Sequence, residues 1–158
     1  MTGRTHLLFG LALAVSVKGA AQDLFFLSLA VISSLLPDLD STATKVGRKF
    51  PRLSRALNLM FGHRGLSHSL DFALSISLAS ALILGLWHGL AVSLGYLSHL
   101  FLDSLTKGGI KLSVLSNRRV GLRLFRTGGL ADQLTAALSL ALIGALGVEG
   151  AKRAFSRF

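Results

Sequence analysis

The chain has 158 residues, a length typical of one domain, and it carries a net charge of +10. An apolar fraction of 51%, a mean hydropathy of +0.62 and a charged fraction of only 15% argue against a soluble globular protein and indicate a membrane protein. The absence of cysteine excludes disulfides and thiolate metal sites, so a bound metal would need nitrogen and oxygen ligands.

Five apolar stretches follow one another along the chain, at residues 7–17, 24–36, 69–87, 89–105 and 130–148. The last three approach the roughly 20 residues that a helix needs to cross the hydrocarbon core, and each predicts a spanning helix. The first two are shorter and separated by polar residues, which predicts a tight helical hairpin, with short, tilted or partly re-entrant helices as the alternative. We therefore predict an all-α, polytopic bundle of about five transmembrane helices, forming a single domain over residues 1–158.

Two basic segments connect these apolar stretches. In residues 48–60, apolar side chains recur at helical spacing while arginine and lysine fill the other faces, which predicts a short interfacial helix on an anionic leaflet. In residues 110–125, apolar and β-branched residues flank a turn-prone Ser-Asn-Arg-Arg sequence, which predicts a small β-hairpin.

Most of the 17 basic residues fall on one side of the predicted bundle. The positive-inside rule makes that side cytoplasmic, so the sequence predicts a multi-pass protein of the inner membrane. Clustered basic charge is also typical of nucleic-acid binding. We rank that interpretation last, because charge beside membrane helices already explains the basic residues.

Histidine and aspartate residues fall near the cytoplasmic ends of the predicted helices. Ionisable side chains are costly in a membrane, so their convergence at one end indicates a functional site. The candidate metal ligands are His6, Asp38, Asp40, His63, His68, His99 and Asp103. His88, beside Trp87 at the opposite interface, serves as the contrast and is predicted not to be a ligand.

Each part of this set has an alternative interpretation when taken alone. His99 and Asp103 are four residues apart and share a helical face, which suits either a buried hydrogen-bonded pair or two metal ligands. Asp38 and Asp40 follow a helix end, where a lone carboxylate pair is usually just solvated. The helix dipole disfavours negative charge there, however, and a bound cation would offset it. His63 alone would be typical of a loop histidine.

Five further residues are assigned supporting roles. Ser67 is predicted to cap the third helix. Ser67, Asp71 and Asp132 are also predicted to contact the metal ligands without binding the metal themselves. Arg64 suits either a lipid head group or a phosphate clamp, since its guanidinium matches phosphate geometry. Arg64 and Lys107 together are predicted to bind the substrate and stabilise its negative charge.

The nitrogen and oxygen ligand set is suited to a divalent metal, zinc first and manganese or iron as alternatives. Seven ligands are too many for one tetrahedral ion, so we predict two ions. Paired ions clamp phosphoryl groups and activate water at neutral pH. The residues thus predict a metal-dependent hydrolase that uses metal-activated water, with Asp38 or Asp40 as bridging ligand or general base.

Five motifs resemble those of the bacterial membrane-bound, metal-dependent hydrolases of the YdjM type, described as LexA-regulated. They are THLLFG at 5–10, LLPDLDS at 35–41, GHRGLSHSL at 62–70, SHLFLDSLTKGG at 98–109 and RTGGLAD at 126–132. The resemblance implies that the histidines and aspartates of these motifs form the metal site. The spacing of His99 and Asp103 also resembles the helix-borne ligand pair of zinc-dependent phospholipases C, which implies a lipid phosphoester as substrate.

A metal-binding transporter or sensor without hydrolysis is the alternative function. Transport sites usually lie near the bilayer midplane between broken helices. Here the predicted ligands gather at one end of the helices, which favours an enzyme acting at the cytoplasmic leaflet.

Overall fold

The computed structural model describes residues 1–17, 23–61, 65–116 and 118–155. Six α-helices, two short 3₁₀ segments and one two-stranded sheet make up this part of the chain. In chain order they are α1 (Gly3–Ser16), α2 (Leu24–Leu35), the first 3₁₀ segment (Leu36–Asp40), α3 (Lys45–Lys49), α4 (Pro51–Phe61), the second 3₁₀ segment (Leu66–His68), α5 (Leu70–Leu105), β1 (Ile110–Lys111), β2 (Arg119–Val120) and α6 (Leu130–Phe155).

Helices α1, α2 and α5 form the tightly packed centre of the molecule. Ala14, Phe26, Ala30 and Ala91 are fully buried where the three helices meet. At Gly95 of α5, a Cβ atom would overlap the carbonyl oxygen of Ala30 and the hydroxyl of Ser33. Small residues therefore let the α2 and α5 backbones approach closely, and this brings the ends of both helices to one site.

Helix α5 reverses direction at Gly85. This residue has φ +80° and ψ 162°, a conformation that glycine adopts without steric cost. In a continuous helix, residues 81 and 89 would be roughly 12 Å apart along the axis. Instead, a Cβ on Gly89 would overlap the backbone of Ala81, so residues 70–84 and 86–105 lie side by side. Both ends of α5 consequently reach the same end of the molecule.

The prediction of about five transmembrane helices is wrong. Among the described residues, two helices are long and apolar enough to cross a bilayer, Leu70–Leu105 and Leu130–Glu149. Helices α1 and α2 have only 14 and 12 residues, short of the roughly 17 to 25 that a spanning helix needs. The third and fourth predicted helices are parts of one element, which breaks at Gly85 and not at His88 as the hydropathy pattern suggested.

The two candidate spans expose much of their apolar surface. Leu82, Ile83 and Leu86 of α5 are each more than three-quarters exposed, as large aliphatic side chains seldom are in soluble proteins. Leu130 and Leu138 of α6 are 72% and 70% exposed. This surface has the character of a lipid contact.

The basic segment forms helix α4, as predicted, and this helix is attached to the first 3₁₀ segment. The hydroxyl of Ser54 donates to the carbonyl of Leu39, and the side-chain amide of Asn58 donates to the carbonyl of Asp40 at 3.0 Å. Leu59 and Met60 on the outer side of the helix are 87% and 71% exposed. Helix α4 therefore supports the segment that carries Asp38 and Asp40, and its place at a membrane interface stays a prediction.

The predicted β-hairpin is present. Strands β1 and β2 pair antiparallel, with Ile110 opposite Val120 and Lys111 opposite Arg119. The connecting loop is held by Asp71 at the start of α5, whose carboxylate accepts hydrogen bonds from the Val114 N–H at 2.9 and 3.1 Å.

Candidate metal centre

Five polar side chains from four segments meet at one end of the helices. His6 lies on α1, Asp38 on the first 3₁₀ segment, His68 on the second, and His99 and Asp103 on the last turns of α5. The three imidazoles and Asp103 are at most 2% exposed, whereas Asp38 retains partial exposure. A buried group of this charge and polarity requires internal partners.

Two triplets within this group have metal-binding geometry. His6, His99 and Asp103 form one triplet, and Asp38, His68 and His99 form the other; within each, one ligand atom per residue lies within 4.8 Å of the others. The rings of His6 and His99 are stacked with centroids 3.6 Å apart. His99 belongs to both triplets and is the centre of the group.

The contacts of His99 fix which of its nitrogens faces the site. Its Nδ1 lies 2.8 Å from the carbonyl oxygen of Ser34. A carbonyl can only accept a hydrogen bond, so Nδ1 carries the proton and Nε2 presents its lone pair. Backbone carbonyls orient metal-binding histidines in this way in many proteins.

His68 is oriented in the same sense by side chains. Its Nδ1 lies 3.3 Å from Asp40 Oδ2 and 3.1 Å from Ser67 Oγ, and the Ser67 hydroxyl in turn donates to Asp40. The Nε2 atoms of His68 and His99 then face each other at 3.4 Å, and both approach Asp103 Oδ2, at 3.5 and 3.8 Å. Two nitrogen lone pairs and a carboxylate oxygen thus converge on one position.

The pKa values of His68 and Asp38 are both displaced by their surroundings. Burial alone would lower the pKa of His68, but hydrogen bonds to Asp103 and Asp40 outweigh it and raise the pKa above its ordinary value. Burial raises the pKa of Asp38, and the neighbouring His6 and His68 offset part of that effect. The carboxylates thus favour the protonated form of His68, and burial favours the neutral form of Asp38.

His6 supplies a further test of whether a metal fits. Neither of its buried ring nitrogens forms a hydrogen bond with any described residue, although Nε2 lies 3.3 Å from Asp103 Oδ1. The amino group of Met1 contacts the same Asp103 oxygen. Buried imidazoles normally have partners, and a metal ion would provide one. Three imidazoles and two carboxylates match the donors that zinc, manganese and iron accept.

Asp40 is not part of either triplet. Its side chain contacts His68 Nδ1 and Ser67, so it lies behind one candidate ligand and not between two ions. Ser67 does not cap α5; the residue at that position is Ser69, which makes no side-chain capping bond. The prediction of Ser67 as an N-cap is wrong, and its hydroxyl instead links Asp40 to His68.

The other predicted supporting residues in the described part of the chain belong to neither triplet. Asp132 holds the start of α1 to the start of α6, because its carboxylate accepts hydrogen bonds from the Thr5 hydroxyl and from the N–H groups of Thr2 and Gly128. Asp71 faces the β-hairpin loop, as described above. The Lys107 side chain is exposed. His63 and Arg64 lie outside the described residues.

A second polar cluster occupies the opposite end of the molecule. Trp87 Nε1 donates to Asp23 Oδ2 at 2.9 Å, and His88 Nε2 lies 3.2 Å from the same oxygen. Hydrogen bonds lower the pKa of Asp23 below its ordinary value; the bond from the Phe26 N–H has the largest effect, and the bond from Trp87 has the next largest. His88 belongs to neither triplet, and that it is not a ligand stays a prediction.

Several residues that shape the site were not found from the sequence. Ser34 contributes a backbone carbonyl, which leaves no signal in residue type. The link from Thr5 to Asp132 could have been anticipated from the THLLFG and RTGGLAD motifs, since both contribute polar residues beside helix starts.

The family model and the similar proteins identify the same family for this chain. A family model described as YdjM inner membrane protein matches residues 1–155. An uncharacterized protein of Bacillus subtilis (strain 168), YvsG, is 38% identical over 146 residues, which cover 89% of this chain and 91% of that protein. Inner membrane protein YdjM of Escherichia coli (strain K12) is 34% identical over 128 residues, covering 71% of this chain and 64% of that protein. No solved structure matches the chain significantly.

Proposed function

Because the chain belongs to the family described as YdjM inner membrane protein, we propose that it is a membrane-bound, metal-dependent hydrolase that cleaves a phosphoester of a lipid-like substrate. The observation that carries this proposal is the convergence of His68 Nε2, His99 Nε2 and Asp103 Oδ2 at a buried position. Nitrogen and oxygen atoms that converge in this way are suited to holding a cation.

The divalent metal is held in this proposal by His6, Asp38, His68, His99 and Asp103. When bound, it supplies Lewis acidity, which polarises a phosphoryl oxygen and makes water a stronger acid. Since His99 offers only Nε2, it donates to one ion at a time. Asp40 and Ser67 hold the His68 ring, and the Ser34 carbonyl holds the His99 ring, so that both rings keep their Nε2 atoms toward the site.

Asp38 is the candidate general base. Asp38 as a whole residue is only partly buried, in contrast to the other members of the two triplets, and we propose that an attacking water transfers a proton to its carboxylate. Asp40 takes a positioning role instead, because its carboxylate is engaged with His68 and Ser67. Arg64 and Lys107 remain the cationic residues proposed to stabilise negative charge on the substrate.

Hydrolysis is tested in liposomes with the purified, metal-loaded chain. We expect release of a phosphate-bearing head group, which stops when a chelator removes the metal. Metal-ion flux across the liposome membrane, without any phosphoester cleavage, would instead establish the transporter alternative.

The name of the Escherichia coli relative places that protein in the inner membrane, and we propose that the site of this chain faces the cytoplasm. Basic residues flank the site end, where α3 and α4 attach to the first 3₁₀ segment, and the positive-inside rule places such segments in the cytoplasm.

The chain contains no cysteine, so Leu115→Cys would introduce a single thiol. Leu115 lies in the hairpin loop, and its side chain is 96% exposed. We expect a membrane-impermeant thiol reagent to label it only after the inner membrane is permeabilised. Labelling in intact spheroplasts would place the site on the other side.

A further inference from the structure

A partly open cavity lies behind His68 of the candidate metal centre. Its volume is about 200 Å³, and it is lined by the first 3₁₀ segment, α4, the second 3₁₀ segment and α5. Most of its wall is aliphatic or aromatic and includes Leu57 of α4 and Phe72 and Ile76 of α5. The cavity is separate from the two triplets, and no step proposed above uses it.

The polar part of the wall marks one end of the cavity. Asp40, Ser67 and Tyr96 contribute it, and all three are engaged with neighbours: the Tyr96 hydroxyl donates to the Ser67 carbonyl at 2.8 Å, and Ser67 donates to Asp40. Asp40 and Ser67 both contact His68 Nδ1, so this end adjoins the metal centre. The polar end of the cavity thus lies behind the His68 ring, whose other side faces the proposed reaction site, and the rest of the cavity is apolar.

The size of the cavity limits what it holds. It exceeds the roughly 150 Å³ apolar cavity that binds benzene in an engineered protein, yet it is smaller than the roughly 300–1,000 Å³ of sites for drug-sized ligands. That space accommodates part of one hydrocarbon chain. An apolar wall with a few polar groups at one end is the pattern of a site for an amphiphile.

The surroundings of the cavity indicate where such a chain comes from. Leu57 lines the cavity from α4, and the exposed Leu53 and Met60 continue the same helical face, while the exposed Leu59 lies on another side. A helix of this composition lies flat at a membrane surface, with its apolar side chains among the lipid chains. The opposite wall belongs to the apolar element α5, a candidate membrane span that folds back at Gly85.

We propose that the cavity binds one acyl chain of a bilayer phospholipid and thereby places the phosphoester at the metal centre. This inference rests on the proposed function for the identity of the site, and it defines the substrate as a lipid whose chain, not only its head group, is recognised. The chain enters from the bilayer between α4 and α5, and the Asp40 end of the cavity receives the part nearest the phosphate.

The test uses the full chain, metal-free, in nanodiscs that contain a trace of phospholipid with a photoreactive diazirine on one acyl chain. Mass spectrometry then locates the adducts. We expect adducts on Leu57, Phe72 or Ile76, and we expect Ile76→Trp to abolish them because the indole fills the cavity. The matched control, Leu78→Trp, lies on the same helix at a 63% exposed position and should leave the cavity adducts unchanged.

Leu57→Trp repeats the test from the α4 wall, with Leu59→Trp at an 87% exposed position as its control, so the result does not depend on one variant folding. Adducts confined to the outer, lipid-exposed surface, or unchanged by both cavity-filling variants, would overturn the inference. Because the protein is metal-free, this outcome is independent of hydrolysis. If the metal-loaded chain cleaves phosphoesters in liposomes but no adducts form in the cavity, only the acyl-chain inference is wrong. If adducts form in the cavity but the liposome assay shows no cleavage, the proposed function is wrong.

Discussion

His99→Ala is expected to remove the bound divalent metal from the purified protein. His99 is fully buried, belongs to both candidate triplets, and presents Nε2 to the site because the Ser34 carbonyl engages Nδ1. Losing it leaves two donors in each triplet, fewer than the three or four protein ligands that zinc sites use. Elemental analysis should show stoichiometric metal in the wild-type protein and little or none in the variant.

His88→Ala is the matched control for this experiment. It removes a histidine of the same helix that contacts Asp23 at the opposite end, so metal content should not change. The alanine at position 99 also leaves the Ser34 carbonyl without its donor, at a cost of about 1–3 kcal/mol. His99→Asn restores a donor near the position of Nδ1 for that carbonyl but not the imidazole, and it should lose metal while keeping the fold. Wild-type metal content in both variants at position 99 would contradict the site.

Asp40→Asn is expected to weaken metal binding without abolishing it. The Asp40 carboxylate accepts from His68 Nδ1 and from Ser67, and it belongs to neither triplet. Loss of such an outer partner typically costs about 10–100-fold in metal affinity, because the ligand ring is less well oriented and less basic. Competition titration with a metal-binding dye would measure the change in dissociation constant.

Asp38→Asn provides the comparison for a residue inside a triplet, and Asp23→Asn provides the control at the opposite end. We expect the largest loss of affinity for Asp38→Asn, an intermediate loss for Asp40→Asn and no loss for Asp23→Asn. If Asp40→Asn removed metal as completely as His99→Ala, Asp40 would be a direct ligand, as the sequence alone suggested.

The site was more predictable from the sequence than the membrane topology was. His6, Asp38, His68, His99 and Asp103 each lie at the end of an apolar run, and packed helices of similar length bring such ends together. The convergence of these residues depends on where the apolar runs stop and not on how many of them cross the bilayer. The residues therefore meet in the structure although the predicted number of spans is wrong.

Two features depend on backbone geometry that residue type does not specify. The apolar run around Gly85 continues through Gly89, and hydropathy does not show which glycine adopts a positive φ; the structure places the break at Gly85. Asp38 and Asp40 are two residues apart, but they lie on a 3₁₀ segment that directs one toward the triplets and the other behind His68. Their separate roles follow from that turn.

X-ray absorption spectroscopy of the metal-loaded wild-type protein tests the central claim most directly, because it reports the atoms around the ion itself. We predict that only nitrogen and oxygen atoms bind the ion. We also expect scattering from the more distant ring atoms of at least two imidazoles, as His68 and His99 would provide. A protein that takes up no stoichiometric metal, or an ion whose spectrum shows no imidazole scattering, would contradict it.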